Sequence, residues 1–305
     1  MQCRKIFYVL LIGVMIISVY NIVGNLLNHA YDINGNAVNT AYNIDGDVVF
    51  QDGIPIPIPS GDLTASETVA LPDLYQIGKG FTCTGLSYDS TTDTYLVGDI
   101  GAMQPGESYH SQIVKMSSDF LTVEETIPLH ETISTFGIIQ GLTVDSKRGT
   151  IWVCSTSENL IRQVDYQGNP ISSFSTNNDS PTGIVYSSHD DSLWVLTYGN
   201  KIVHYSVTGN ILNSYNFAYS ETLDQCFLDE YRGLLYITAG VNYTGRNNVY
   251  CFNISTHEQS IACTVDSYSV EGIWLGDDDK MIIVNDGYYH SAVVPYNQAN
   301  IYTIE

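Results

Sequence analysis

The strongest constraint on this chain is a short unit that recurs five times. Residues 141–155 read GLTVDSKRGTIWVCS and residues 183–197 read GIVYSSHDDSLWVLT. The same order of apolar strand, polar turn and apolar strand returns at 85–99, 225–239 and 272–286. In every copy the second strand ends 14 residues after the anchor, and the anchors Gly85, Gly141, Gly183, Gln225 and Gly272 stand 56, 42, 42 and 47 residues apart. Strand-rich repeats of roughly 40–50 residues are the signature of blades stacked around an axis. The expected fold is therefore all-β, a five-bladed β-propeller.

Its blades are expected at 82–127, 138–175, 181–218, 223–265 and 270–305, the last completed by 65–71. Residues 64–72 (TASETVALP) look like residues 122–129 (TVEETIPL), which lead out of the first blade. They therefore read as an outer strand without inner strands before it. The fifth repeat has three strands and stops. An N-terminal strand that completes the last blade closes the ring and removes the exposed sheet edges. Six blades is the alternative, if the duplicated segments at Tyr31 and Tyr42 join the ring.

Residues 141–169 (GLTVDSKRGTIWVCSTSENLIRQVDYQGN) resemble NHL-type and lactonase-like propeller repeats. The step Val270-Glu271-Gly272 resembles the Glu-Gly steps of SdiA-regulated proteins and calcium-activated nucleotidases, which are also propellers. The resemblance implies the architecture. It also implies calcium at the channel mouth, held by Glu, Asn and Asp; this chain has those residue types without the full motif, and only one Glu-Gly step.

Geometry narrows the candidates independently. Adjacent strands in a blade are antiparallel, so the start of the innermost strand and the end of the second share one face. Thr84, Gln140, Thr182, Asp224 and Glu271 precede the anchors, and Asp99, Ser155, Thr197, Ala239 and Asn285-Asp286 end the second strands. One mouth thus collects Asp99, Asp224, Glu271, Asn285 and Asp286, an oxygen set suited to Ca²⁺. A solvated polar rim is the plain alternative. The longest loops, at 101–110, 240–248 and 287–298, open on the same face. They bring Tyr109, Tyr243, Arg246, Tyr288 and Tyr289, with Gln140, as ligand-contacting candidates. His110 and His290 are the loop histidines placed to act as a general base.

The N-terminal run Ile6–Val23 carries no charge and follows Arg4 and Lys5. It is expected to be a hydrophobic helix, either a cleaved signal or a membrane anchor within 1–24, with the rest extracytoplasmic. Residues 25–63 are expected to form a stalk ending in the alternating prolines of 54–59, and 64–305 the propeller. Export would make Asn242 and Asn253 glycosylation acceptors, and a Cys251–Cys263 disulfide is expected across a hairpin. With 33 acidic and 11 basic residues, a formal charge of −22 excludes a nucleic-acid partner. Three functions fit: binding of a glycan, surface protein or small molecule, through calcium; a calcium-dependent hydrolase of lactones or phosphate esters; or a structural surface protein.

Overall fold

A computed structural model describes residues 57–103, 110–240, 245–276 and 278–304, together with the backbone of short strands within 1–56. Two compact units are present, Met1–Ile56 and Pro57–Glu305. Within the first, Phe7–Leu11 and Val14–Ser18 pair as antiparallel strands where a helix was expected. The β-branched Val9, Val14, Ile16 and Ile17 suit that extended backbone. Ala30–Tyr31 pairs with Ala37–Val38, and Thr40–Tyr42 with Val48–Gln51. These strands flank Asn34-Gly35 and Asp45-Gly46, the turn pairs most suited to hairpins. The other residues of 1–56 lie outside the described residues. Among the described residues, no helix is long and apolar enough to cross a membrane.

The second unit holds five sheets, each an up-and-down meander from axis to rim. The innermost strands are Cys83–Asp89, Ile139–Asp145, Pro181–Ser187, Leu223–Asp229 and Val270–Leu275. The second strands are Thr94–Asp99, Thr150–Ser155, Ser192–Thr197, Leu234–Ala239 and Lys280–Asn285. Glu67–Ala70 pairs antiparallel with the last strand, Gln298–Thr303, with Val69 opposite Ala299. The ring closes as its sequence demands. Blade four carries an addition: Gly61–Leu63, expected in the stalk, pairs in parallel with Cys263–Val265 as a fifth strand.

Each inner hairpin turns through one left-handed residue just before its second strand. These are Asp93, Gly149, Asp191, Gly233 and Asp279, with φ between 54° and 64°. Only Gly and Asp occupy the position, because larger side chains are strained there. Between blades, apolar faces interlock: Trp152, Leu193, Val195 and Tyr205 pack together where blades two and three meet. Burial of such surfaces, at about 25 cal/mol per Å² of apolar area, is the main force holding the ring.

The innermost strands share a further device. In every blade the anchor and the residue before it oppose a single residue of the second strand. Pairing steps from Leu223↔Ala239 to Cys226↔Ile237, and from Val270↔Asn285 to Ile273↔Ile283, with the same irregularity in the other three blades. This is a β-bulge, which re-aims a side chain and tightens the local bend. The bulges also bring the backbones close. A Cβ on Gly183 would lie 2.5 Å from the Asp224 carbonyl oxygen, and one on Gly141 would lie 2.6 Å from that of Thr182. Glycine at these anchors is therefore a packing requirement.

Candidate functional site

Blade four alone has a side chain at its anchor. Gln225 is fully buried, and its amide spans the axis. Its Oε1 accepts from the Ile184 N–H at 2.7 Å, and its Nε2 donates to the Leu142 carbonyl at 3.2 Å. A Cβ built on Gly85 would meet that Nε2 at 3.0 Å, so the amide reaches three other blades. The axis is thus plugged, and each end is a blind cup.

At one end of the plug stand the acidic side chains that the bulges and second-strand ends supply. Glu271, Asp286 and His290 each present a ligand atom, all within 4.8 Å of one another. His290 Nε2 is 3.2 Å from Asp286 Oδ2. Asp224, on the bulge next to that of Glu271, belongs to the same electrostatic group. All three carboxylates are 3–7% exposed. Burial first, then the charge of Asp286, pushes Asp224 and Glu271 well above the ordinary carboxylate range. Burial raises Asp286 as well, opposed by its bond to His290. That bond in turn raises His290, against the effect of its burial.

Among the described residues, several oxygens at this end have no hydrogen-bond partner: Asp224 Oδ2, Asp286 Oδ1, Thr84 Oγ1, Thr182 Oγ1, Thr197 Oγ1 and Ser269 Oγ. Thr84 and Thr182 hold the bulge position that Asp224 and Glu271 hold in their own blades. Thr197 ends a second strand, next to the position of Asp286 in blade five. Buried polar atoms are normally paired, so orphaned oxygens at the end that carries the three carboxylates need a cause.

The other candidates divide clearly. Asp99 is buried at the same end but is already satisfied. It accepts from the Tyr75 hydroxyl at 2.5 Å, Gln112 Nε2 at 2.9 Å and the Gly101 N–H at 2.9 Å. Asn285 supports the strand rather than joining the cluster: its Nδ2 donates to Asn300 Oδ1 at 2.6 Å and to Ser267 Oγ at 3.1 Å. His110 stacks on His130 at 4.6 Å and borders a separate cavity of about 320 Å³ with Tyr75 and Gln112. Arg246 pairs with Asp62 at 2.9 Å, on the strand added to blade four. Lys79 sits 4.7 Å over the Tyr288 ring, Tyr289 meets His290 edge-on at 5.0 Å, and Gln140 is half-buried on its bulge. Tyr109, Asn242 and Tyr243 lie outside the described residues. Asn253 ends a third strand, and its Oδ1 accepts from the Ser255 and Thr256 N–H groups. Cys251 and Cys263 carry free thiols; the register sets Cys251 opposite Ser260 and Cys263 opposite Val249.

Sequence reasoning missed four contributors. Gln225 was visible as the one anchor that is not glycine, but its reach across the axis was not. Tyr198 follows Thr197 directly; its phenol is pushed up to about 12 by burial and then by Asp224, Glu271 and Asp286. Cys83 is buried beside the cluster, and burial with the charges of Asp286, Glu271 and Asp99 holds its thiol protonated. Tyr75 precedes the first blade, where no repeat pattern marks it.

No protein-family model matches this chain, and no curated protein matches it. Solved structures do. The RRP9 WD40-repeat structure aligns over 74% of this chain and 62% of its own, at 12% identity and a TM-score of 0.45. A nidogen/laminin complex aligns over 68% and 73%, at 17% identity and a TM-score of 0.48. A protein of unknown function from Bacteroides caccae aligns over 68% and 72%, at 14% identity and a TM-score of 0.45. The chain spans less than two thirds of the RRP9 chain. These likenesses concern the fold alone, and none of them bears out the NHL- or lactonase-like family.

Proposed function

We propose that this propeller is a calcium-dependent binding module. Asp224, Glu271 and Asp286 hold the ion, and the loop-rich face around it holds a glycan, a small molecule or a surface protein. One observation carries this reading: three buried, mutually repelling carboxylates share one end of a plugged axis with orphaned hydroxyl oxygens. Burying like charges together is costly, and a divalent cation offsets that cost directly. The donors are hard oxygens from an irregular set of backbone positions, which suits Ca²⁺ better than the strict octahedron of Mg²⁺. The plug leaves only the outward side open, so a ligand's carboxylate or hydroxyl pair completes the coordination beside Tyr198 and Tyr289. An extracytoplasmic setting, with the run Ile6–Val23 as the export or anchoring segment, accords with this reading and supplies the calcium.

Terbium luminescence excited through nearby tyrosine tests the site. Tb³⁺ is expected to light up on binding, to be displaced by Ca²⁺, and to lose its signal in Glu271→Gln and Asp286→Asn. An unchanged signal in both variants would place the ion elsewhere. Displacement by Zn²⁺ or Mn²⁺ but not by Ca²⁺ would assign the site to a transition metal.

A second reading is a calcium-dependent hydrolase of lactones or phosphate esters. The observation favouring it is His290, 3.2 Å from Asp286 and open to solvent on its outer side. A cation on Asp286 would release His290 from that pair to act as general base. Turnover of such esters in calcium, lost in His290→Asn while terbium still binds, would establish this reading; no turnover in calcium would remove it.

A further inference from the structure

The opposite end of the axis is built differently. There the five innermost strands enclose a cavity of about 260 Å³. One residue from each blade closes its inner end, Leu86, Leu142, Ile184, Cys226 and Ile273, each directly after an anchor. Behind that apolar ring lies the Gln225 amide, so the cavity is blind.

The next position along each strand shows what the cavity is suited to. In blades one and two it is Ser87 and Thr143, whose hydroxyls accept from the Val144 and Tyr186 N–H groups of the following blade at 3.1 and 3.2 Å. There the position serves to close a strand edge. In blades three, four and five it is Val185, Phe227 and Trp274, all half-buried and lining the cavity. Tyr88 joins them, with its ring 5.2 Å from that of Trp274. Three aromatic rings and a valine therefore form one wall.

The outer edge of the cavity is acidic. Asp89 accepts from Thr91, Thr92 and the Tyr166 hydroxyl, and these bonds outweigh burial to keep it ionised. Glu230 accepts from the Ser188 N–H and hydroxyl, at 2.5 and 2.7 Å. On the neighbouring hairpin turns, Lys147 pairs with Asp191, Arg148 with Asp145 and Asp191, and Arg232 with Asp229. The rings and the two charges favour the same occupant. A ring face attracts a cation through its quadrupole, more strongly as water is excluded. Carboxylates at a concave mouth focus field lines and concentrate cations. Small-ligand sites combine an apolar wall with a few placed polar groups, as here.

We propose that this aromatic-walled, acid-rimmed cavity is a second binding site, taking a small organic cation with an apolar body, a substituted ammonium of about the size of choline. It does not depend on the carboxylate cluster at the other end.

Choline titrated into the full chain in EDTA, followed by tryptophan fluorescence and by ligand-observed NMR, tests the assignment. Saturable binding with a Kd on the order of 1 mM is expected. The neutral isostere 3,3-dimethylbutanol should bind about tenfold more weakly. Phe227→Leu, which keeps apolar volume and removes the ring, should weaken choline by roughly fivefold, and Phe227→Ala by more. Glu271→Gln, at the far end, should leave choline binding unchanged. Absence of saturation, equal binding of the neutral isostere, or loss of binding in Glu271→Gln would each overturn the proposal.

Discussion

Glu271→Gln should make the metal-free protein more stable, the reverse of the usual outcome for a buried substitution. The Glu271 and Asp286 ligand atoms lie within 4.8 Å of each other. At an effective dielectric of about 20, two unit charges at that distance repel by roughly 3 kcal/mol. Partial protonation relieves some of this, because both groups titrate above the ordinary carboxylate range. Glutamine keeps the shape, and its amide can donate to the neighbouring carboxylates. A net gain of about 1–3 kcal/mol at neutral pH follows. For a unit of about 250 residues that is roughly a 2–12 °C rise in Tm. Differential scanning calorimetry in EDTA measures it, and the same variant must lose most of the stabilisation that calcium gives the parent. A lower Tm in EDTA would refute the electrostatic account, since Glu271 would then be contributing an ordinary structural interaction.

Further outcomes follow from other parts of the molecule. Asp224, Glu271 and Asp286 all have raised folded-state pKa values. The native state therefore holds protons that the unfolded chain has released, and metal-free stability should fall as pH rises above about 4, through the raised values. Denaturation midpoints in EDTA between pH 5 and 8 check the sign, and Glu271→Gln should flatten the slope. Gln225→Ala should cost about 2–5 kcal/mol in urea unfolding, because it orphans the buried Ile184 and Cys226 N–H groups that bond to Oε1 at 2.7 and 2.9 Å. Val69→Asp places an unpaired charge at a site 6% exposed on the closing strand, and should cost about 3 kcal/mol or more and promote aggregation through the opened blade edge.

The architecture was legible because propellers are periodic. Anchors, hairpin turns and the orphan strand at 64–72 each repeat a local pattern, and local patterns are what a sequence displays directly. The same periodicity assigns Asp224, Glu271 and Asp286 to one mouth, and Glu271 and Asp286 lie together there. Three things were hidden. The first is the bulge, which arises from pairing two residues against one and leaves only an X-Gly step as its trace. The second is the satisfaction of Asp99, which depends on Tyr75, a residue outside every repeat. The third is the amide of Gln225 meeting strands from three other blades, a contact set by the width of the axis. The strands Phe7–Leu11 and Val14–Ser18 of the N-terminal run were hidden for a related reason. Its hydrophobicity is uniform, so only its β-branched content indicated strand rather than helix.

The central claim is that the ring gathers three carboxylates to hold calcium, and thermal unfolding across a calcium titration tests it most directly. At a free calcium concentration of about 100 times Kd, binding to the native state alone adds roughly 2.7 kcal/mol, or about 5–11 °C in Tm for this size of unit. The account predicts that rise in the parent and its loss in Glu271→Gln. A Tm that stays level in the parent up to millimolar calcium would contradict it.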